Sequence, residues 1–173
     1  MKTKTSYEVR AMKFTQILVQ LFAGCTTLED FEYAINWYNN FHKNKLHWDH
    51  GVSRVAIMRA DYVIKFDITP DAEWRDGRAG NCNSEQAIYK RACADGFEYL
   101  LAKTTVHTID DLTFSIMPRI DHVGDYRRDW QDYCTNEERD WLFENICDLH
   151  LYNVGYRNGK VCVIDYAWDI TEY

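Results

Sequence analysis

A chain of 173 residues with 46% apolar side chains is long enough for one domain with a real core and too short for several. Its net charge of −7, with no basic block, disfavours non-specific nucleic-acid binding, which needs Lys and Arg against phosphates, and leaves room for a basic protein partner. Two prolines and eight glycines argue against linkers and disorder, and the most apolar early run, Phe14 to Ala23, is far short of the ~20 residues that span a bilayer.

The first block, Tyr7 to Phe22, carries Val9, Met12, Ile17, Leu18, Leu21 and Phe22 at helical spacing, with Gly24 as its stop. Thr26-x-x-Glu29 reads as a capping box that opens a second helix, Leu28 to Phe41, with Phe31, Ala34, Ile35, Tyr38 and Phe41 as its apolar stripe. These helices, in a segment 1–46, are either structural or a partner-binding face. His47-Trp48-Asp49-His50 invites a metal reading, but no distant Cys/His pair completes a site, so it reads as a polar loop around an anchoring Trp.

Gly51 to Met58 and Tyr62 to Phe66 are two β-type runs joined by a turn at Arg59-Ala60-Asp61. Lys65, inside an apolar strand, is either an edge residue reaching water or a buried cation with an assigned anion. Pro70 to Asn83 is a polar loop, and Asn83 or Ser84 caps a helix that Glu85 opens. Glu85 either favours the positive helix end or reaches back to the strand lysine. Phe97 to Leu101 adds a helical turn. Val106 to Ile109 and Leu112 to Ile120 form a second hairpin that turns at Asp110-Asp111, and Met117 to Asp121 leaves the sheet at Pro118. Gly124 and Asp125 mark a loop. Asn136 to Ile146 is a helix whose apolar face is Trp141, Leu142 and Phe143. A loop from Asp148 to Asn153, a tight turn at Asn158-Gly159 and a buried strand, Val161 to Ile164, lead to Asp165. The six cysteines, Cys25, Cys82, Cys93, Cys134, Cys147 and Cys162, include no C-x-x-C, and no secretory segment is visible, so reduced thiols in a cytoplasmic protein are expected.

Asp148-Leu149-His150-Leu151-Tyr152-Asn153 has the D-L-x-x-x-N spacing of a kinase catalytic loop, and Ile164-Asp165-Tyr166-Ala167 stands where D-F-G would stand. With Gly51-Val52-Ser53-Arg54, Lys65 and Glu85 in the right order, residues 51 to 167 resemble the compact protein-kinase-like proteins of bacteriophages and bacteria. The resemblance implies an α+β, minimal kinase-like fold over 47–173: an antiparallel N-lobe sheet with a helix, a much reduced helical C-lobe, and two helices ahead of it. It implies ATP and Mg²⁺ as ligands. Lys65 would contact phosphates and Glu85 would orient it; Asp148 would receive or position the substrate hydroxyl; Asn153 and Asp165 would hold Mg²⁺; and adenine would pack on a connector that includes Met117 and Ile120. Asp169 is a weaker metal candidate.

Two function classes follow. One is a phosphotransferase acting on a protein or small molecule. The other is a pseudokinase, a kinase-shaped protein without turnover that binds a host protein in the host cytoplasm. The absent G-x-G-x-x-G, Ile146-Cys147 ahead of Asp148, Ala167 in the glycine position of D-F-G and the reduced C-lobe depart from the pattern of an active kinase. The missing Gly-rich loop, the reduced C-lobe and the two N-terminal helices favour the second class, whereas the presence of Lys65, Glu85, Asp148, Asn153 and Asp165 together favours the first, towards which the reading leans. No nucleic-acid or membrane partner is expected. A third reading, an unrelated α+β domain, predicts that Lys65, Glu85, Asp148, Asn153 and Asp165 do not share one cleft.

Overall fold

The computed structural model describes residues 6–70, 80–120 and 129–167. The fold is α+β and, among the described residues, has four α-helices and an antiparallel five-stranded sheet. The chain divides into two compact units, 1–82 with 105–119, and 83–104 with 120–173.

The first unit opens with α1 (Ser6–Leu21) and α2 (Leu28–Phe41). Gly24 ends the first helical segment at φ +80°, a conformation a side chain would resist. The capping box of α2 is one residue later than its sequence signal. Thr27 Oγ1 accepts the Asp30 N–H at 3.3 Å, and the Asp30 carboxylate accepts the N–H groups of Thr27 and Thr26 at 2.9 and 3.0 Å. Asp30 does the work expected of Glu29 because its shorter side chain folds back onto the first turn.

The sheet contains β1 (His47–His50), β2 (Arg54–Met58), β3 (Tyr62–Asp67), β4 (Thr105–Ile109) and β5 (Leu112–Pro118), in the order β1-β2-β3-β5-β4. The expected loop at His47 to His50 is therefore an edge strand, registered from His47 opposite Met58 to His50 opposite Val55. Only Trp48 of its four residues packs on the core, so an outward-facing polar strand carried no apolar alternation to read. Tyr62, Ile64 and Phe66 of β3 face α1 and α2. Phe66 meets Phe22 and Phe114 with ring centroids at 5.1 and 5.5 Å, and Phe22 meets Phe31 at 4.6 Å.

The connector does not leave the sheet at Met117. Met117 and Pro118 continue β5 opposite Val63 and Tyr62, and the Arg119 N–H still donates to Asp61 O at 3.1 Å. Pro118 is tolerated in this central strand because it is the strand's last residue.

The second unit holds most of α3 (Cys82–Asp95), α4 (Asn136–Asn145) and the hairpin of β6 (Val154–Arg157) and β7 (Lys160–Val163). α3 starts at Cys82, ahead of the expected Asn83 or Ser84 cap, and the Cys82 N–H donates to Asp67 Oδ1 at 2.9 Å. The expected turn after it is a single 3-10 turn, Glu98–Leu100, after which Leu101 pairs in parallel with Val163. Asn158 and Gly159 both have positive φ, +55° and +76°, as a two-residue hairpin turn requires. Leu100, Leu142, Ile146, Val161 and Val163 are buried in this unit's core. Phe143 is not part of it, being 47% exposed; adjacent positions on a helix point about 100° apart, and α4 buries Trp141 and Leu142.

All six cysteines are free, and burial pushes the Cys134 and Cys162 thiols up to about 11. Among the described residues, no helix is long and apolar enough to cross a membrane.

Candidate functional site

The residues of the D-L-H-x-x-N stretch converge. α4 ends at Asn145 with Ile146 as its extended cap, and a short loop then delivers Asp148 and His150 to a 3-10 turn, Leu151–Asn153. His150 Nδ1 caps that turn by accepting the Tyr152 N–H at 3.2 Å, and His150 O accepts the Asn153 N–H at 2.9 Å. The Asn153 side chain folds back: its Nδ2 donates to Asp148 O at 2.9 Å and approaches Asp148 Oδ2 at 3.4 Å. His150 Nε2 stands 3.0 Å from Asn153 Nδ2 and 3.5 Å from Asp148 Oδ1. Asp148 and His150 are both about half exposed, so a solute can reach them.

This loop is tied to the strand that leads to Asp165. Asn153 O accepts the Ile164 N–H at 2.8 Å, so the backbone positions of Asn153 and Asp165 are coupled through one hydrogen bond. Asp165 is half-buried. Tyr166 follows it and is fully buried. Its hydroxyl donates to Ala102 O at 2.5 Å and lies 2.9 Å from Thr104 Oγ1. Burial, and next the Glu85 charge, hold the Tyr166 phenol well above its usual range, so it stays a donor. Thr104 Oγ1 in turn donates to Glu85 Oε2 at 3.4 Å. A buried line of polar groups thus runs from Glu85 through Thr104 to the residue beside Asp165.

Lys65 belongs to the first unit. β3 lies between β2 and β5, which removes the edge-strand reading, and Lys65 is 7% exposed. It stands opposite Ala56 and Ser115 and projects from the sheet face opposite Ile64 and Phe66. Of the two readings of Lys65, an edge residue reaching water and a residue inside the sheet, the burial leaves the second. Glu85 is fully buried in α3. Met117 is buried in β5, and Ile120 is half-buried. Asp121, Gly124, Asp125 and Asp169 lie outside the described residues.

Among the described residues, no group of three His, Cys, Asp or Glu side chains could hold a metal ion. The expected donor set is different, one amide oxygen and one carboxylate. It fits Mg²⁺, which takes one or two protein oxygens and fills its shell with water and phosphate. Asn153 Nδ2 is engaged on Asp148, and Oδ1 accepts no hydrogen bond from any described residue, so the oxygen end of the amide is the end available to a cation.

Three contributors had no assigned role in the sequence: His150, which organises the loop, and Tyr166 and Thr104, which anchor the segment around Asp165. His150 and Tyr166 both sit inside the motifs that drew attention to their neighbours. Thr104 carried no local signal, because its partners are distant in sequence. Compared with protein-family models, with curated proteins and with solved structures, the chain matches none.

Proposed function

We propose that this chain binds ATP with Mg²⁺ and acts as a kinase-like phosphotransferase on a protein or small-molecule hydroxyl. The observation that carries the reading is the loop in which Asp148, His150 and Asn153 meet, hydrogen-bonded at 2.8 Å to the residue before Asp165. Phosphoryl transfer asks little covalent chemistry of a protein; it needs positioning and neutralised charge.

In this reading the Asp148 carboxylate, exposed at the loop, orients the acceptor hydroxyl and takes its proton. His150 holds the turn that presents Asp148 and Asn153. Asn153 and Asp165 would hold Mg²⁺, whose charge offsets that of the phosphates when it is bound. Lys65 supplies a cation for the same phosphates, and Glu85 supplies an anion that orients it. Support for these last two assignments is the element order: a hairpin with Lys65, a helix with Glu85, a hairpin, a helix, the loop, and a hairpin that ends at Asp165.

The test is calorimetric titration of the protein with ATP, with and without Mg²⁺, beside Asp165→Ala. Mg²⁺-dependent binding that is lost in the variant is the expected result, followed by transfer of labelled phosphate that Asp148→Asn abolishes. Absence of nucleotide binding up to millimolar ATP overturns the reading. A second reading, a kinase-like protein that binds a host protein without turnover, is favoured by the missing G-x-G-x-x-G. It predicts a biological effect that survives Asp165→Ala.

A further inference from the structure

We propose that the turn between β2 and β3 carries a binding surface for an acidic protein segment, held by Arg10, Arg59 and Arg119. Three elements of the first unit bring these arginines to one place. The Arg59 N–H closes the turn by donating to Tyr62 O at 2.9 Å, and its guanidinium lies over the Phe14 ring of α1, 4.5 Å from the centroid. Arg119, just past β5, donates its N–H to Asp61 O at 3.1 Å and its Nη1 to Arg59 O at 3.0 Å. Arg10, one helical turn before Phe14 on α1, donates Nη2 to Asp61 Oδ2. Tyr62 marks the point of convergence: burial raises its phenol, and the charges of Arg59, Asp61 and Arg10 all act on it. Lys13 follows Arg10 on the same side of α1 and is exposed.

These contacts gather cations around one acid, Asp61, in a chain whose net charge is −7. Glu8, the acid in the first turn of α1, lies on the buried face of that helix with Ala11, Thr15 and Leu18. Like charges held together repel, and core packing does not ask for these: the Arg10 side chain is 56% exposed, and Arg119 is exposed as well. A guanidinium carries several N–H donors, and among the described residues Arg10 and Arg119 each give the protein a single side-chain one. The remaining donors are open to a ligand. The occupant follows from charge and shape. Guanidinium forks take carboxylates and phosphates two N–H groups at a time. The arginines ring a turn with the Asp61 carboxylate among them, so one compact dianion at the centre would be repelled. An extended segment with several Asp and Glu side chains can give each arginine its own carboxylate and pass around Asp61. A long nucleic-acid strand would run on over the rest of an acidic chain, whereas a short peptide ends with the patch. The surface lies within the first unit and does not rest on the phosphotransferase reading.

Fluorescence anisotropy of the full chain with a short labelled peptide rich in Asp and Glu, beside its Asn and Gln counterpart, tests this. The acidic peptide should bind with a dissociation constant of ~10–100 μM, and the neutral one ~10-fold more weakly or worse. Arg10→Glu and Arg119→Glu should each weaken the acidic peptide by ~10-fold or more. Lys90→Glu, exposed on α3, changes the net charge equally and should leave binding within ~2-fold. Arg119→Gln replaces a charge reversal that alters the far-ultraviolet circular dichroism. Asp61→Asn should strengthen binding by ~2- to 5-fold, because an acid leaves the surface and Arg10 is released. Equal binding of the two peptides, charge reversals at Arg10 and Arg119 that match Lys90→Glu in effect, or an Asp61→Asn variant that binds less well than the wild type overturns the proposal. So does tighter binding of a single-stranded oligonucleotide, or of phosphatidylserine vesicles, than of the acidic peptide.

Discussion

The two units of the chain are held together by different means. In the first, four phenylalanine rings, from the turn after α1, from α2 and from two strands, meet at 4.6 to 5.9 Å, and a five-stranded sheet satisfies the backbone. In the second the only sheet among the described residues is a two-stranded hairpin, which is marginal in water by itself. Beside its apolar core, polar side chains tie its elements together. Tyr166 and Thr104 join the chain end to Glu85 of α3; Trp141 Nε1 donates to Asp95 at 3.0 Å; Arg91 donates to Asn145 at 3.2 Å; and Glu138 receives Tyr99 and Lys160 at 2.8 and 3.4 Å. Apolar packing is tolerant of small shifts, whereas a buried polar network requires every member. The exposed Asp148–His150–Asn153 loop belongs to the polar unit. Its backbone is irregular there, and side chains do the ordering that a sheet does elsewhere.

This contrast can be broken first in the apolar unit. Phe66→Ala should cost about 3–5 kcal/mol in chemical denaturation, the range for removing a buried aromatic. Hydrogen exchange resolved by peptide should rise most in β2, β3 and β5; an equal rise over α4 and the β6–β7 hairpin would show the two units unfolding as one. Tyr166→Phe is the matching test in the polar unit. It leaves the packing and removes one hydroxyl, so Ala102 O loses its short bond and keeps only the longer one from Thr104 Oγ1 at 3.4 Å, at a cost of roughly 1–3 kcal/mol. A neutral result would mean that the line from Glu85 to Tyr166 does not bear on stability.

Glu138 sharpens the difference through pH. Burial pulls its carboxyl up, but the hydrogen bonds from the Thr135 N–H, the Tyr99 hydroxyl and Lys160 outweigh that and leave it below the usual glutamate range. The Tyr99 phenol is pushed up to about 12 by burial and by the same bond, so it remains a donor throughout. An acid lowered on folding stabilises the fold above its unfolded pKa, and that contribution disappears as pH falls through the lowered value. Glu138→Gln should therefore be less stable than the wild type at pH 7 by about 1.5 kcal/mol, with the gap closing below the usual glutamate range. Urea titrations at pH 7 and pH 3 measure it; a gap that persists at pH 3 would rule out the carboxylate as its source. The smallest effect is expected at the cap of α2, where Thr27→Ala should cost about 1 kcal/mol. Thr26→Ala is its control and should cost less, because Thr27 and not Thr26 supplies the side-chain oxygen.

Where residues announce themselves locally, the chain could be read in advance. The helices at Leu28 to Phe41 and after Thr135, the turn at Asn158-Gly159 and the hairpin around Arg59 to Asp61 follow from periodicity and turn chemistry within a few residues. The D-L-H-x-x-N stretch likewise carried its own spacing, and Asp148 and Asn153 do meet. The cap of α2 fell one residue from its signal because Thr26 and Thr27 are both competent and only the path of the chain selects one. The strand at His47 to His50 was invisible because its pairing with β2, and not its own side chains, makes it a strand.

By itself, then, the sequence determined the class of the fold, the order of its elements apart from the edge strand at His47 to His50, and the loop that gathers Asp148, His150 and Asn153, since each depends on side chains within a turn or two of one another. Only the tertiary structure decided that Lys65 is buried in a central strand, that Tyr166 lies with Thr104 beside Glu85, and that Tyr33, Trp37 and Phe41 are left outside while Phe31 and Ile35 go in. Those outcomes rest on which strand lies beside which and which helix face meets the sheet. Such choices are made by contacts between residues far apart in the chain, and no local spacing records them.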